Sequence, residues 1–288
     1  MGESVTAKVS STTFFIIFSD LDGTLLDHNT YGWQEAQPAL NLCKKLHVPV
    51  VLVSSKTRAE MEFLRGKLSI SAPFVSENGG GIFFPSDSFK EPPARASFDK
   101  GLWKWSLGLS YAHLVRGLQE IREELRWNIK GFSDMGIEEI SQLTGLDHKI
   151  SRLAAIREFD EPFLVLKKQA VDENALYKAA DKRGLAVTSG GRFYHLQGKN
   201  DKGKAMEKVI SWYKHEHKPA FSIVLGDSPN DFSMLELADF PVLIRSQREF
   251  PELKGKIPRL RVTRAFGPKG WNKAILDILG KKEKERNV

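Results

Sequence analysis

The sequence predicts an α/β fold, in which a doubly wound parallel sheet forms the core and a smaller α+β domain is inserted into it. The first observation is that short, wholly apolar segments alternate with helical segments in the first and last thirds of the chain. Parallel strands are buried on both faces, and helices usually connect them. The second is that this alternation stops near residue 86 and resumes near residue 196. We therefore predict a discontinuous core, residues 1–86 and 196–288, with an inserted domain at residues 87–195.

The core elements follow in chain order. Phe14–Phe18 is apolar at every position, as expected of a covered parallel strand. Thr57–Leu68 is predicted to be a helix because Thr57 and Glu60 have the spacing of a capping box. Similar patterns predict strands at Val48–Val53, Phe74–Ser76, Ile82–Pro85, Phe221–Leu225 and Pro241–Ile244, and helices at Glu35–His47, Asp201–His217, Phe232–Ala238 and Trp271–Leu279.

The inserted region has fewer clear patterns. Phe163–Leu166 and Leu185–Thr188 are predicted to be strands, with a helix at Asp172–Lys182 between them. Ser86–Phe98, which contains two prolines, is predicted to be a linker. Residues 1–13 are rich in Ser and Thr and are expected to form a loosely attached leader.

Composition excludes several classes. The chain has one cysteine, Cys43, so an internal disulfide is impossible and a cytoplasmic location is expected. No apolar run approaches the roughly 20 residues that a membrane helix needs. The sequence contains no basic run interleaved with aromatic residues, a pattern that would indicate nucleic-acid binding. The net charge of +7 fits attraction of an anionic substrate or a set of solvated lysines, and alone it decides nothing.

Two carboxylates directly follow the first predicted strand, in the segment Asp20-Leu21-Asp22-Gly23-Thr24. Ligands of open α/β sheets bind beyond the carboxyl ends of the strands, so reactive groups are expected there. Asp20 and Asp22 point to the same side of an extended chain, and two close carboxylates favour a cation such as Mg²⁺ between them. The alternative is that both acids cap a turn or a helix.

A second acidic segment, Gly226-Asp227-Ser228-Pro229-Asn230-Asp231, follows the predicted strand Phe221–Leu225. Because the carboxyl ends of parallel strands meet at one edge of a sheet, the two acidic segments are expected to share one cation. The helix dipole alone would explain Asp231 in the first turn of a helix, but it does not explain Asp227.

Ser54 and Lys202 stand at two other predicted helix starts. Hydroxyl and backbone N–H groups at such a start bind phosphate readily. Lys202 opposes the helix dipole, which favours a compensating role such as pairing with phosphate. Taken alone, each residue is better explained by surface solvation, but together with the two acidic segments they predict a phosphate site.

These four segments resemble, in composition and order, the four motifs of the haloacid dehalogenase-like phosphatases. The resemblance spans nearly the whole chain, and Ser76–Gly80 looks like the Glu-Asn-Gly segment that precedes that family's large α/β cap. It implies that Asp20 is the nucleophile and forms an aspartyl-phosphate. It also implies that Asp22 protonates the leaving oxygen and then activates water.

The resemblance further implies the ligands of the metal and of the phosphate. Mg²⁺ is expected to be held by Asp20, the backbone carbonyl of Asp22, and Asp227, with Asp231 close by. Ser54 and Lys202 are expected to bind the transferring phosphoryl group and to neutralise its charge.

Substrate choice is expected to depend on the inserted cap. The strings Gly131–Met135, Arg157–Phe163 and Ser189–His195 are similar to those of the mannosyl-3-phosphoglycerate phosphatases, a branch of the family. This implies a small phosphorylated sugar–glycerate substrate. Guanidinium groups suit its carboxylate, and the candidate contacts are Asn78, Arg157, Ser189, Arg192 and His195.

Alternatives remain open. Arg157 could instead pair with Glu158 or Glu161. His195 could instead be an ordinary residue of a strand, and Ser189–Gly191 could instead form a hinge for closure of the cap. Phosphatases of glucosyl-3-phosphoglycerate, sucrose phosphate or hexose phosphate, and phosphosugar mutases, share the core motifs. A catalytically silent scaffold that binds an acidic partner is a further alternative, although the chain keeps all four motif acids.

Overall fold

The computed structural model describes residues 13–87, 91–92, 94–166, 171–190, 193–217 and 219–286. The predicted leader, apart from Thr13, and the candidate Arg192 therefore lie outside the described residues. The chain divides into two compact units, one formed by Met1–Val51 with Glu207–Val288 and the other by Leu52–Met206. Both predicted borders of the inserted domain, at 86/87 and 195/196, lie within the second unit and stay a prediction.

The described residues form thirteen strands and ten α-helices. The strands are β1 Phe14–Ser19, β2 Val50–Val53, β3 Phe74–Ser76, β4 Gly81–Pro85, β5 Ser97–Asp99, β6 Leu102–Ser106, β7 Ile129–Gly131, β8 Asp160–Val165, β9 Ala186–Gly190, β10 Phe193–Gln197, β11 Ala220–Gly226, β12 Phe240–Arg245 and β13 Arg261–Phe266. The helices are α1 Gln37–Lys45, α2 Arg58–Leu68, α3 Tyr111–Leu125, α4 Ile137–Thr144, α5 His148–Ala154, α6 Glu173–Asp181, α7 Lys202–Glu216, α8 Phe232–Glu236, α9 Glu252–Lys256 and α10 Gly267–Arg286. None of these helices combines the length and the apolar character that crossing a membrane requires.

The first unit is built on a parallel sheet in the order β13-β12-β11-β1. β1 pairs in register with β11, from Phe14 opposite Ala220 to Ser19 opposite Leu225. Nearly every residue of both strands is buried, which requires cover on both faces. The predicted α/β class is therefore confirmed. β13 was not predicted, because Arg261–Phe266 lies at the edge of the sheet, is largely exposed, and shows neither a continuous apolar run nor a regular alternation.

The second unit contains two sheets. In one, β2 and β3 are parallel, and the pairs β3–β4, β4–β6 and β6–β5 are antiparallel. The predicted capping box at the start of α2 is confirmed, since Thr57 Oγ1 accepts from Glu60 N and Glu60 Oε2 accepts from Thr57 N. The predicted linker was wrong at Ser97 and Phe98, which belong to β5. The Phe98 ring packs edge-on against Trp103, 5.1 Å away, and this cross-strand pair favours a strand too short to show a pattern.

The other sheet is antiparallel, in the order β7-β8-β10-β9, and is packed against α3 and α6. Its apolar core includes Phe163 of β8 and Leu196 of β10, with Leu114 and Leu118 of α3. Side chains alternate between the faces of a strand, so His195 lies on the face away from this core. The separate antiparallel sheet with its helices confirms the α+β character predicted for the inserted region.

Candidate active site

The carboxyl ends of β1 and β11 bring the predicted acidic segments together. Asp20 N donates a hydrogen bond to Leu225 O at 2.9 Å, which continues the pairing of the two strands by one residue. Carboxylate oxygens of Asp20, Asp227 and Asp231 all lie within 4.8 Å of one another. Asp20 and Asp231 are buried and Asp227 is half-buried. The expected convergence of both segments at one sheet edge is confirmed.

Gly23 allows Asp22 and Asp227 to approach this edge in a tight turn. Its φ is +77°, a conformation that favours glycine, and a Cβ at this position would lie 2.5 Å from Asp227 Oδ2. The turn is closed by Gly23 N, which donates to Leu26 O at 2.9 Å, and Asp22 forms a β-bridge with Leu26. Asp22 itself is half-buried, and its expected contact with the leaving group stays a prediction.

Asp231 has a structural role besides its place among the carboxylates. Its Oδ2 accepts hydrogen bonds from the backbone N–H groups of Asp227, at 2.9 Å, and Ser228, at 3.1 Å. Gly226 makes room for it, since a Cβ there would lie 2.4 Å from Asp231 Cβ. Asp231 therefore fixes the backbone of Asp227 while contributing an oxygen to the cluster.

A buried chain of hydrogen bonds that the sequence did not reveal supports Asp20. Trp271 Nε1 donates to Ser19 Oγ at 2.9 Å, and Ser19 Oγ donates to Asp20 O at 2.7 Å. Trp271 and Ser19 are both fully buried. A lone serine at the end of an apolar strand was a possible signal, because a buried hydroxyl requires a partner.

The donor set of the cluster fits a hard divalent cation. Its three side chains offer only carboxylate oxygens, which suit Mg²⁺ and Ca²⁺ better than the softer ions that select thiolate or imidazole. Three carboxylates this close repel one another unless a cation or protons compensate them. The cluster is therefore a suitable metal site.

In the second unit, Ser54, Asn78 and Lys202 lie close together. Ser54 O accepts from Asn78 N at 3.0 Å, and Ser54 Oγ accepts from Lys56 N at 3.3 Å. Gly79 has a φ of +91°, and a Cβ there would lie 2.2 Å from Asp201 O and 3.1 Å from Lys202 N. The turn after β3 thus touches both the loop after β2 and the start of α7. Ser54 and Lys202 are almost fully buried.

Glu77 is a buried acid that the sequence did not single out. Its Oε2 accepts from Phe159 N at 2.7 Å, and both of its carboxylate oxygens lie 3.1 Å from Glu158 N. Burial raises the pKa of Glu77 to about 8, and the nearby Arg157 opposes this rise. Glu77 thus ties the turn after β3 to the segment that leads into β8.

Arg157 and His195, both candidates for substrate contact, meet at Asp160. Asp160 Oδ2 lies 3.3 Å from Arg157 Nη1 and 2.7 Å from His195 Nδ1. Arg157 Nη1 also donates to Ser55 O at 3.0 Å. Burial acts to lower the pKa of Arg157, but the surrounding carboxylates, Asp160 first, outweigh it and raise that pKa. Arg157 therefore pairs with an acid of its own segment, but with Asp160 rather than with Glu158 or Glu161.

Ser189 does not join this group. It pairs with Tyr194, which packs against the apolar core of the antiparallel sheet, whereas Thr188 is the residue opposite His195. Ser189 and His195 therefore point to opposite faces of the sheet. Ser189 is exposed, and its expected contact with substrate stays a prediction.

Glu161, next to Asp160, occupies a second buried polar site. Its Oε1 accepts from Ser133 N at 3.0 Å and from Ser133 Oγ at 2.6 Å, and its Oε2 accepts from Tyr111 Oη at 2.6 Å. Burial raises the pKa of Glu161, although the bonds from Ser133 and Tyr111 oppose this rise. The sequence signal for this arrangement is that Asp160 and Glu161 directly precede the apolar residues of β8. Adjacent residues of a strand point to opposite faces of the sheet, so such a pair indicates a buried carboxylate on each face.

Comparison with known proteins connects these features to one family. Residues 17–102 match the family model of the haloacid dehalogenase-like hydrolases. A glucosyl-3-phosphoglycerate/mannosyl-3-phosphoglycerate phosphatase of Methanococcoides burtonii is 40% identical over 270 residues, covering 92% of this chain and 97% of the relative. A mannosyl-3-phosphoglycerate phosphatase of Pyrococcus furiosus is 34% identical over 81% of this chain and 92% of its own. The crystal structure of a Thermoplasma acidophilum protein, 20% identical, superposes with a TM-score of 0.65 over 94% of this chain and 99% of that one.

Proposed function

Because this chain belongs to the haloacid dehalogenase-like hydrolases, in which it is a phosphoric monoester hydrolase, we propose that it hydrolyses mannosyl-3-phosphoglycerate to mannosylglycerate and phosphate. The observation that carries the chemistry is the carboxylate cluster of Asp20, Asp227 and Asp231 at the ends of β1 and β11. The substrate is favoured by the relatives that are named for it and that align with most of the chain. Glucosyl-3-phosphoglycerate is the second candidate, since one of these relatives carries both names.

Asp20 is the nucleophile in this proposal. A carboxylate oxygen of Asp20 attacks phosphorus, the bond from phosphorus to the glycerate oxygen breaks, and Asp22 gives its proton to that oxygen. Water then attacks the aspartyl-phosphate while Asp22 takes up a proton, which releases phosphate and restores Asp20. Asp20 N donates to Leu225 O and Asp20 O accepts from Ser19 Oγ, and these two hydrogen bonds support the role because they fix the position of the attacking residue.

A divalent cation, Mg²⁺ in our proposal, would complete the site and would supply positive charge that stabilises the transferring phosphoryl group. Asp20, the backbone carbonyl of Asp22, Asp227 and Asp231 are the groups that hold it. The double hydrogen bond from the backbone to Asp231 Oδ2 keeps Asp227 oriented for this task.

Ser54 and Lys202 bind the transferring phosphoryl group. Lys202 stands at the start of α7, close to the turn that follows β3 and holds Asn78 against the Ser54 loop. A phosphoryl group spreads negative charge over its oxygens during transfer, which a hydroxyl and an ammonium group both stabilise. The sequence predicts contacts to the sugar and glycerate from Asn78, Arg157, Ser189, Arg192 and His195. Of these, direct contact is assigned to Asn78, Ser189, Arg192 and His195, because Arg157 Nη1 is already bonded to Ser55 O and Asp160 Oδ2.

Phosphate release from several esters tests the proposal. With Mg²⁺ present, we expect kcat/KM to be highest for mannosyl-3-phosphoglycerate or its glucosyl analogue, and lower for sucrose phosphate and simple hexose phosphates. A preference for hexose phosphates would contradict the substrate. A folded wild-type protein that released no phosphate from any of these esters would instead favour the silent scaffold.

A further inference from the structure

We propose that Asp160 is a positioning residue for substrate binding. Its carboxylate holds His195 in the tautomer with hydrogen on Nδ1, so that Nε2 accepts a hydrogen bond from a hydroxyl of the sugar–glycerate part of the substrate. The identity of the ligand rests on the proposed function, whereas the tautomer depends only on the geometry of the second unit.

Asp160 occupies a site where its charge must be compensated. It is fully buried at the start of β8, and its Oδ2 faces both Arg157 Nη1, at 3.3 Å, and His195 Nδ1, at 2.7 Å. An isolated carboxylate at such a depth is strongly unfavourable, but a guanidinium partner makes it tolerable. Arg157, whose side chain is only 7% exposed, supplies that single positive charge.

The short contact determines which nitrogen of His195 carries hydrogen. An ionised carboxylate only accepts hydrogen bonds, so the donor in the 2.7 Å contact is Nδ1. An imidazole that carries a single hydrogen then has it on Nδ1, and its lone pair is on Nε2. Among the described residues Nε2 has no hydrogen-bond partner, and the His195 side chain is 13% exposed.

The surroundings of His195 suit a polyol. His195 lies on the face of the antiparallel sheet opposite α3 and α6, with the Thr188 hydroxyl on the neighbouring strand as its cross-strand partner. Phe193, two residues away on the same face, is half-buried and packs edge-on against Phe132 at 5.2 Å. An acceptor, a hydroxyl and a partly exposed ring are groups that recognise a sugar.

Arg157 has a different role in this arrangement. Its Nη1 donates to Ser55 O, in the loop that follows β2 and carries Ser54, and its guanidinium lies 5.6 Å from the centre of the Phe132 ring. These protein partners engage Nη1 of the guanidinium that the sequence suggested for the glycerate carboxylate. Arg157 therefore acts through Asp160 and through the Ser54 loop, and His195 makes the direct contact.

Glu161 provides a matched control for Asp160. Both acids are fully buried, adjacent in β8 and on opposite faces of the sheet. Glu161 bonds to Ser133 and Tyr111, and no hydrogen bond joins it to Arg157 or His195 among the described residues. Glu161→Gln removes the same charge at the same depth and leaves the contact between Asp160 and His195 in place.

The tautomer is measured by NMR on the full chain labelled with ¹⁵N-histidine. The signals of His195 are identified among those of the seven histidines by comparison with the variant His195→Gln. We expect the ring of the wild type to carry its single hydrogen on Nδ1, and we expect loss of that preference in Asp160→Asn but not in Glu161→Gln. A wild-type ring with hydrogen on Nε2, or on both nitrogens, would overturn the inference whether or not any variant folds.

Kinetics test the consequence for binding. We expect Asp160→Asn to raise KM for mannosyl-3-phosphoglycerate about tenfold, the value of one hydrogen bond, and to change kcat/KM for p-nitrophenyl phosphate less than about twofold. Glu161→Gln should leave the ratio of KM for mannosyl-3-phosphoglycerate to KM for p-nitrophenyl phosphate as it is in the wild type. An equal loss on both esters, or none on either, contradicts the positioning role. If the wild type fails to hydrolyse mannosyl-3-phosphoglycerate, the proposed function fails, while the NMR result still decides the tautomer.

Discussion

Substitution of Gly226 by alanine should weaken metal binding while leaving the fold intact. Gly226 ends β11, and its φ lies outside the left-handed region, so its backbone conformation permits alanine. The obstacle is Asp231, whose Cβ, Cγ and Oδ2 would lie 2.4, 2.5 and 2.6 Å from the new methyl group. Because carbon atoms in contact prefer about 3.5 Å or more, Asp231 has to move by roughly 1 Å.

The size of the effect follows from the bonds that this movement breaks. Asp231 Oδ2 accepts from the N–H groups of Asp227 and Ser228, and a hydrogen bond to a charged group contributes about 1.5–3 kcal/mol. Loss of one such bond, together with displacement of a ligand oxygen, should weaken Mg²⁺ binding about 10- to 100-fold.

The assay is calorimetric titration of Mg²⁺ into the folded protein, accompanied by phosphate release as a function of Mg²⁺ concentration. Gly66→Ala is the matched control, because Gly66 is exposed in α2 and a Cβ there meets no atom within 4 Å. That control should stabilise α2 by about 1 kcal/mol and leave Mg²⁺ affinity unchanged. Wild-type Mg²⁺ affinity in a folded Gly226→Ala variant would refute the reasoning.

Two further predictions concern buried groups. Burial raises the pKa of Glu77 to about 8 from an ordinary value of 4.5, so its contribution to stability is complete below the lower value and is lost as the pH rises through the higher one. Urea unfolding measures how much free energy of unfolding each protein loses between about pH 5 and about pH 9. Glu77→Gln imitates the protonated acid, so its loss should be smaller than that of the wild type by a few kcal/mol. Equal losses in the wild type and the variant would contradict this. Trp271→Phe removes the hydrogen bond to Ser19 and should cost about 1–3 kcal/mol in thermal unfolding. Phosphate release should persist, because Ser19 still donates to Asp20 O, and a folded but inactive variant would contradict that expectation.

The sequence predicts well those features whose cause is local. Phe14–Phe18 is apolar at every position and acids follow it directly, and the same pattern recurs at Phe221–Leu225 and Asp227. Each short stretch therefore predicts a buried strand with acids at its end, and the parallel pairing of the two strands brings the acids together. The capping box at Thr57 and Glu60 is also local, since both partners lie in the same helical turn.

Features that depend on distant partners could not be predicted. Glu77 is buried because it binds N–H groups of Glu158 and Phe159, about 80 positions along the chain. The contact between Asp160 and His195 could be found only once the register of β8 and β10 was known. Ser189 shows the same limit, because a shift of one residue in a strand exchanges the two faces of the sheet.

The central claim is that Asp20 carries the phosphoryl group during turnover. Wild-type protein is quenched during hydrolysis of mannosyl-3-phosphoglycerate with Mg²⁺, reduced with borohydride, which converts an acyl phosphate to an alcohol, and digested for peptide mass spectrometry. We predict that residue 20 alone among the aspartates appears as homoserine, and that Asp20→Asn shows neither this product nor phosphate release. Reduction at another acid, or undiminished turnover by Asp20→Asn, would contradict the account.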